Sequence, residues 1–103
     1  MDLTLAICMY NAEKYIIETL GCSIKQTFQD FNLLIVDDCC TDLSVSLVEN
    51  FFRHHPRQYE IVHIKPNKGL CAGRLFVEKN VSTKYILFVD SDDLPCPTLV
   101  EKL

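Results

Sequence analysis

Asp90, Asp92 and Asp93 fall within four residues around Ser91, and Asp37, Asp38 and Asp42 form a second tight group. These two groups hold six of the 14 acidic residues. No Lys or Arg lies between Lys25 and Arg53, or between Lys84 and Lys102, so neither group has a basic neighbour in sequence. Carboxylates held this close disfavour one another's charged form. A divalent cation relieves the repulsion, and carboxylate oxygens suit hard ions such as Mg2+ or Mn2+, which keep waters and add ligand phosphates. In an extended segment Asp90 and Asp92 point to the same side. Two carboxylates so placed would make a clamp for a metal-bound diphosphate. The competing reading is a solvated acidic loop that caps a helix beginning near Leu94.

The remaining polar positions extend this theme. Asp37 and Asp38 end an apolar run, where a carboxylate can accept hydrogen bonds from a ribose hydroxyl or a base N–H, or else help cap a helix with Thr41-Asp42. Tyr10 could lie against a base, although a single tyrosine more often just packs. Asn67 to Arg74 carries two glycines and one guanidinium at a helix start, a suitable diphosphate neighbour. Neither G-x-G-x-x-G nor G-x-x-x-x-G-K-[ST] occurs, which disfavours a dinucleotide cofactor and a P-loop. A net charge of -4 disfavours a nucleic-acid partner. The six cysteines contain no C-x-x-C pair and read as reduced, mostly buried thiols. His54-His55 before Pro56 reads as an exposed helix end, and the histidines are assigned structural roles.

Positioning these residues requires a scaffold of alternating strands and helices. One hundred and three residues make one small domain. Strands are expected at Leu3–Cys8, Phe31–Val36, Tyr59–Ile64 and Tyr85–Val89. Between them, Tyr15, Ile16, Leu20 and Ile24 recur at helical spacing after Asn11, the expected N-cap. Leu47, Val48, Phe51 and Phe52 form a second stripe that starts near Thr41-Asp42 and stops before Pro56. Leu70–Asn80 reads as a third helix after a turn at Pro66–Gly69, and Leu94-Pro95 opens a last one. Continuous apolar strands mean that both sheet faces are covered. The expected fold is α/β: a Rossmann-like, mostly parallel four-stranded sheet with helices on both faces. In such folds ligands bind beyond the carboxyl ends of the strands, and all the unusual polar residues fall there. No apolar run is long enough to span a membrane, and Met1-Asp2-Leu3-Thr4 lacks a basic leader. The expected location is the cytoplasm or the cytoplasmic membrane face.

Taken in order, these segments resemble the N-terminal, nucleotide-sugar-binding part of a family 2 glycosyltransferase with the GT-A fold. Leu5–Asn11 resembles the family's opening strand, and Ile35–Asp42 its "VDDGSTD", with Cys39-Cys40 in place of Gly-Ser. Asn67-Lys68-Gly69 with Ala72 and Arg74 resembles "N-x-G…AR", and Phe88–Asp93 resembles "FLDSDD", which holds the D-x-D motif. The resemblance implies that Cys8, Tyr10 and Asp38 contact the base, that Arg74 lies near base and diphosphate, and that Asp90 lies near the ribose. Asp92 matches the metal-binding aspartate. The implied cofactor is Mg2+ or Mn2+, and the implied donor is a nucleotide sugar, most often a UDP-sugar, passed with inversion to a saccharide or lipid-linked acceptor. The catalytic base and acceptor half would lie beyond Leu103, leaving residues 1–103 as the donor-binding domain. The alternative is a non-catalytic nucleotide-binding or interaction domain that could form a homodimer through an exposed sheet edge. A nucleotidyltransferase is disfavoured, because no glycine-rich basic loop follows the first strand.

Overall fold

The four apolar runs become strands because their β-branched and aromatic side chains suit a pleated surface buried from both sides. The computed structural model describes residues 2–27, 29–38, 40–64 and 76–90. Its elements are β1 (Leu3–Met9), α1 (Ile16–Ile24), β2 (Asn32–Asp38), α2 (Ser44–His54), β3 (Glu60–Ile64) and β4 (Tyr85–Asp90). Residues 76–80 are also helical. The expected turn at 66–69 and the last helix near Leu94 lie outside the described residues.

All four strands are parallel, in the order β3-β2-β1-β4. Strand β1 is therefore paired on both edges, and all seven of its residues are buried. Cys8 lies opposite Val36 on one side and opposite Asp90 on the other. The start of β4 is tied down locally: the Lys84 and Tyr85 amides donate to the Asp2 carboxylate and carbonyl at 2.8 and 3.0 Å. The hydroxyls of Thr4 and Thr83 meet at 2.7 Å.

The two sheet faces are packed separately. Leu3, Leu5, Ile7 and Met9 share one core with Leu33, Ile35 and the inner stripes of α1 and α2. Ala6 and Cys8 join Leu34, Val36 and Val77 in the other core. The helices follow their apolar spacing: α1 buries Ile16, Thr19, Leu20 and Ser23, and α2 buries Ser44, Val48, Phe51 and Phe52. Phe52 stacks on Tyr59 with ring centroids 4.1 Å apart, which links the end of α2 to the approach to β3. The next link is Arg57, whose guanidinium lies 4.6 Å over the Phe31 ring and donates to the Phe31 carbonyl at 2.8 Å.

Crossover handedness explains why there are two faces. From β1 through β2 to β3 the chain steps one way across the sheet, with α1 and α2 on one side. From β3 to β4 it steps back past β2 and β1. Right-handed connections require that return to use the opposite face, and the helical residues 76–80 bury Val77 there.

One local expectation fails. Asn11 does not cap α1. The helix begins at Ile16 after a turn in which the Tyr15 and Ile16 amides both donate to the Ala12 carbonyl. Asn11 instead adopts φ 49°, a left-handed conformation that asparagine tolerates because its short side chain can bond locally.

Truncating a side chain in this core should be costly. Ile7 is 0% exposed, so Ile7→Ala should destabilise the fold by about 2–5 kcal/mol in urea denaturation. Ile17, 39% exposed on the outer side of α1, should lose less than about 1 kcal/mol when changed to Ala.

Candidate functional site

The topology brings the carboxyl ends of β1, β2 and β4 together. Strand order reverses between β1 and β4, the kind of position beyond which parallel α/β sheets bind ligands. Tyr10 follows β1 and is 48% exposed. Asp90 ends β4, half-buried, in register with Cys8. Asp38 ends β2 in register with Ile64. Cys8 itself is 3% exposed, with its side chain in the second core. Of the expected site residues, Tyr10, Asp38, Asp90 and Cys8 are thus gathered at one end of the sheet. Arg74 and Asp92 lie outside the described residues.

The loops after β1 and β2 are bound to each other. The Asn11 carboxamide oxygen accepts the Thr41 amide at 2.8 Å, and the Asn11 amide donates to the Cys40 sulfur at 3.3 Å. The Cys40 thiol donates to the Met9 carbonyl at 3.6 Å. Tyr10 therefore sits between two residues that the same sulfur holds. A second set joins the helix starts. The buried Ser44 hydroxyl accepts the Ala12 amide at 2.7 Å, and the Asp42 carboxylate accepts the Glu13 amide at 3.2 Å and the Ser44 amide at 2.9 Å. Side chains at the start of α2 thus satisfy the amides of the turn that precedes α1, and Asp42 also meets the first amide of its own helix.

Asp37 anchors this arrangement. It is 4% exposed and spends both carboxylate oxygens inside the protein. Oδ1 accepts the Cys40 amide at 2.8 Å and Oδ2 accepts from His63 Nδ1 at 2.7 Å. Burial pushes its pKa up. The hydrogen bonds from the Cys40 and His63 side chains and from the Cys40 amide outweigh burial and hold it below the ordinary carboxylate value. Asp42 is lowered in the same way: desolvation opposes, but the Ser44 hydroxyl and the Ser44 and Glu13 amides prevail. Burial, with the Asp37 carboxylate beside it, pushes the Cys40 thiol up to about 12, so Cys40 stays a neutral S–H donor.

Asp37 was a candidate ligand in the sequence. The structure gives it an internal role. His63, read as structural, stands directly opposite Asp37 in the β2–β3 register. The one signal for it was a polar residue interrupting an apolar strand one residue before its end. His54 and His55 match expectation: the first meets the Asn50 carbonyl at the end of α2, and the second stacks on Phe51. Cys8, Cys22 and Cys40 are free thiols.

A recess of about 410 Å3 lies at the opposite end of the sheet, among Thr4, Asn32, Glu60 and Thr83. It is remote from the acidic groups, and it faces the amino ends of the strands, where parallel α/β folds do not build ligand sites. Among the described residues no three His, Cys, Asp or Glu side chains form a metal-ligating group. Asp90 is the one member of the 90–93 group among them, and a carboxylate at this edge has the donor chemistry of a hard divalent cation.

The model of glycosyl transferase family 2 matches residues 4–103. The chain belongs to this family. It is 35% identical over 91 residues to a teichoic acid poly(glycerol phosphate) polymerase from Staphylococcus epidermidis, covering 88% of this chain and 13% of that protein. It is 33% identical over 96 residues to the poly(ribitol-phosphate) beta-N-acetylglucosaminyltransferase TarS of Staphylococcus aureus, covering 90% of this chain and 16% of that protein. The chain thus spans less than a fifth of the length of these two relatives. The structure of TarS 1–349 in complex with UDP-GlcNAc superposes with a TM-score of 0.87 at 31% identity, over 99% of this chain and 30% of that one. A mannosyltransferase from Pyrobaculum calidifontis, solved with GDP-Man and Mn2+, shares the fold with a TM-score of 0.84 at 21% identity, over 93% of this chain and 29% of that one. The Rossmann-like GT-A architecture expected from the motifs is the one observed.

Two outcomes follow from the loop chemistry. Cys40 should resist iodoacetamide at pH 8 in the folded chain and react once urea unfolds it, as mass spectrometry would show. Asp37 and Asp42 have folded pKa values below their unfolded ones. Their stabilising contribution is therefore complete above the ordinary carboxylate pKa of about 4 and is lost as pH falls through the lowered values. The urea midpoint should drop between pH 5 and 3, and Asp42→Asn should reduce that drop.

Proposed function

We propose that this chain is the donor-binding part of an inverting glycosyltransferase that takes a UDP-sugar for transfer to an acceptor hydroxyl in polysaccharide or glycoconjugate synthesis. The carrying observation is the parallel pairing of β1 with β4, which brings the chain just after β1, where Tyr10 stands, and Asp90 at the end of β4 to the same carboxyl end of the sheet. The TarS structures with UDP and with UDP-GlcNAc support a uridine nucleotide.

In this reading Tyr10 lies against the base, the backbone at Cys8 forms the floor beneath it, and Asp38 accepts a base N–H. Arg74 approaches the base and diphosphate, and Asp90 accepts from the ribose. Asp92, with Asp90 near it, would hold Mg2+ or Mn2+, which when bound supplies positive charge to the departing diphosphate. The chain's own residues then bind the donor, orient its anomeric carbon and keep the base in place. Most of the length of the relatives is sequence that this chain does not match. We assign the acceptor site and the catalytic base to such sequence, so residues 1–103 alone should bind donor without transferring sugar. We assign this part to the cytoplasm or the cytoplasmic membrane face.

Titration calorimetry with UDP and Mn2+ tests the reading. The wild-type chain should bind UDP in a metal-dependent way, and Asp92→Ala should weaken binding by at least about tenfold, an effect of 1.4 kcal/mol. Tyr10→Ala should cost about 1–3 kcal/mol if the ring stacks on the base. No UDP binding by the wild type, or equal metal-dependent binding by Asp92→Ala, would count against the assignment.

A further inference from the structure

We infer that His63 is a positioning residue for the nucleotide site, acting through Asp37 on the turn that follows β2. The inference rests on the donor-binding reading above and adds to it a residue from strand β3, opposite Asp37 in the sheet register.

A continuous set of contacts carries it. Asp37 is ionised and can only accept, so Nδ1 of His63 carries the hydrogen of their 2.7 Å bond. The His63 side chain is 50% exposed, whereas that of Asp37 is 6% exposed. A solvent-facing imidazole on an edge strand thus sets the rotamer of a buried carboxylate on the neighbouring strand. The other Asp37 oxygen receives the Cys40 amide at 2.8 Å, which ties the chain beyond β2 back to the strand. Cys40 then passes the constraint across to β1. Its sulfur accepts the Asn11 amide and donates to the Met9 carbonyl, and Asn11 answers by accepting the Thr41 amide at 2.8 Å. Asp38 and Tyr10, the two residues assigned to the base, are each held between groups of this network.

Without the imidazole, Asp37 Oδ2 would lie nearly buried with no charge-assisted partner, a costly state. The carboxylate would turn toward water and release the Cys40 amide. The loss would be felt along the chain after β2 and at Tyr10. What Asp37 needs is a single N–H donor at the Nδ1 position. An asparagine amide can place one there, and an alanine cannot.

The test compares wild type, His63→Ala and His63→Asn by amide NMR and by UDP titration with Mn2+. His63→Ala should shift the Cys40 and Asn11 amide signals and weaken UDP binding by about 2- to 30-fold, the range of such indirect couplings. His63→Asn should return both readouts close to wild type, a rescue that loss of general stability would not give. Unmoved Cys40 and Asn11 signals in His63→Ala would overturn the inference, and so would an Asn variant that binds as weakly as the Ala variant. An absence of UDP binding in the wild type would instead overturn the donor reading, with the amide signals still deciding whether the brace exists.

Discussion

Everything at the carboxyl edge depends on the position of β1, which is paired in parallel on both sides and buried on both faces. A strand in that place can satisfy its backbone groups only if β2 and β4 both run alongside it. The two pairings aim three chain exits in one direction. The pairing with β4 requires the chain to return across the opposite face of the sheet, so strand order reverses between β1 and β4. The gathering of polar residues at this edge is thus a consequence of the core.

The loops at this edge are held by a small number of polar groups placed where the strands end. Ser44 and Asp42 take the first amides of the α1 region, Asp37 closes the turn after β2, and Asn11 joins the two loops. Each is an intramolecular bond to a group that would otherwise need water. Buried bonds of this kind specify geometry more than they add net stability. Cys40 joins the two loops through its sulfur. Its thiol, kept protonated by burial beside Asp37, both donates and accepts, as a serine hydroxyl could. Its larger sulfur does so at 3.3 and 3.6 Å.

Much of the fold was legible in the residues. Leu3–Met9, Asn32–Asp38 and Tyr85–Asp90 are continuous apolar runs closed by polar residues, and that pattern is local. The stripe of Val48, Phe51 and Phe52 and the stop at Pro56 are local as well. Strand order was not legible, since nothing in β4 alone says that it pairs with β1. Asn11 misled for a related reason. Its type fits both an N-cap and a left-handed turn, and the choice was made by Thr41, some thirty residues away. The Asp37–His63 pair was hidden likewise, because the two residues meet only through the β2–β3 register. Asp90 and Tyr10 drew attention because their types are unusual at strand ends, and both stand at that edge of the sheet, while Asp37 looked equally available and is occupied within the protein.

Binding of a nucleotide and its metal at the carboxyl ends of β1 and β4 can be read from paramagnetic broadening of backbone amide signals by Mn2+ in the presence of UDP. The strongest broadening is expected at Met9, Tyr10, Asn11 and Asp90, with Thr4, Asn32, Glu60 and Tyr85 at the amino ends little affected. Broadening centred on those amino-end residues, beside the recess at that end of the sheet, would contradict it.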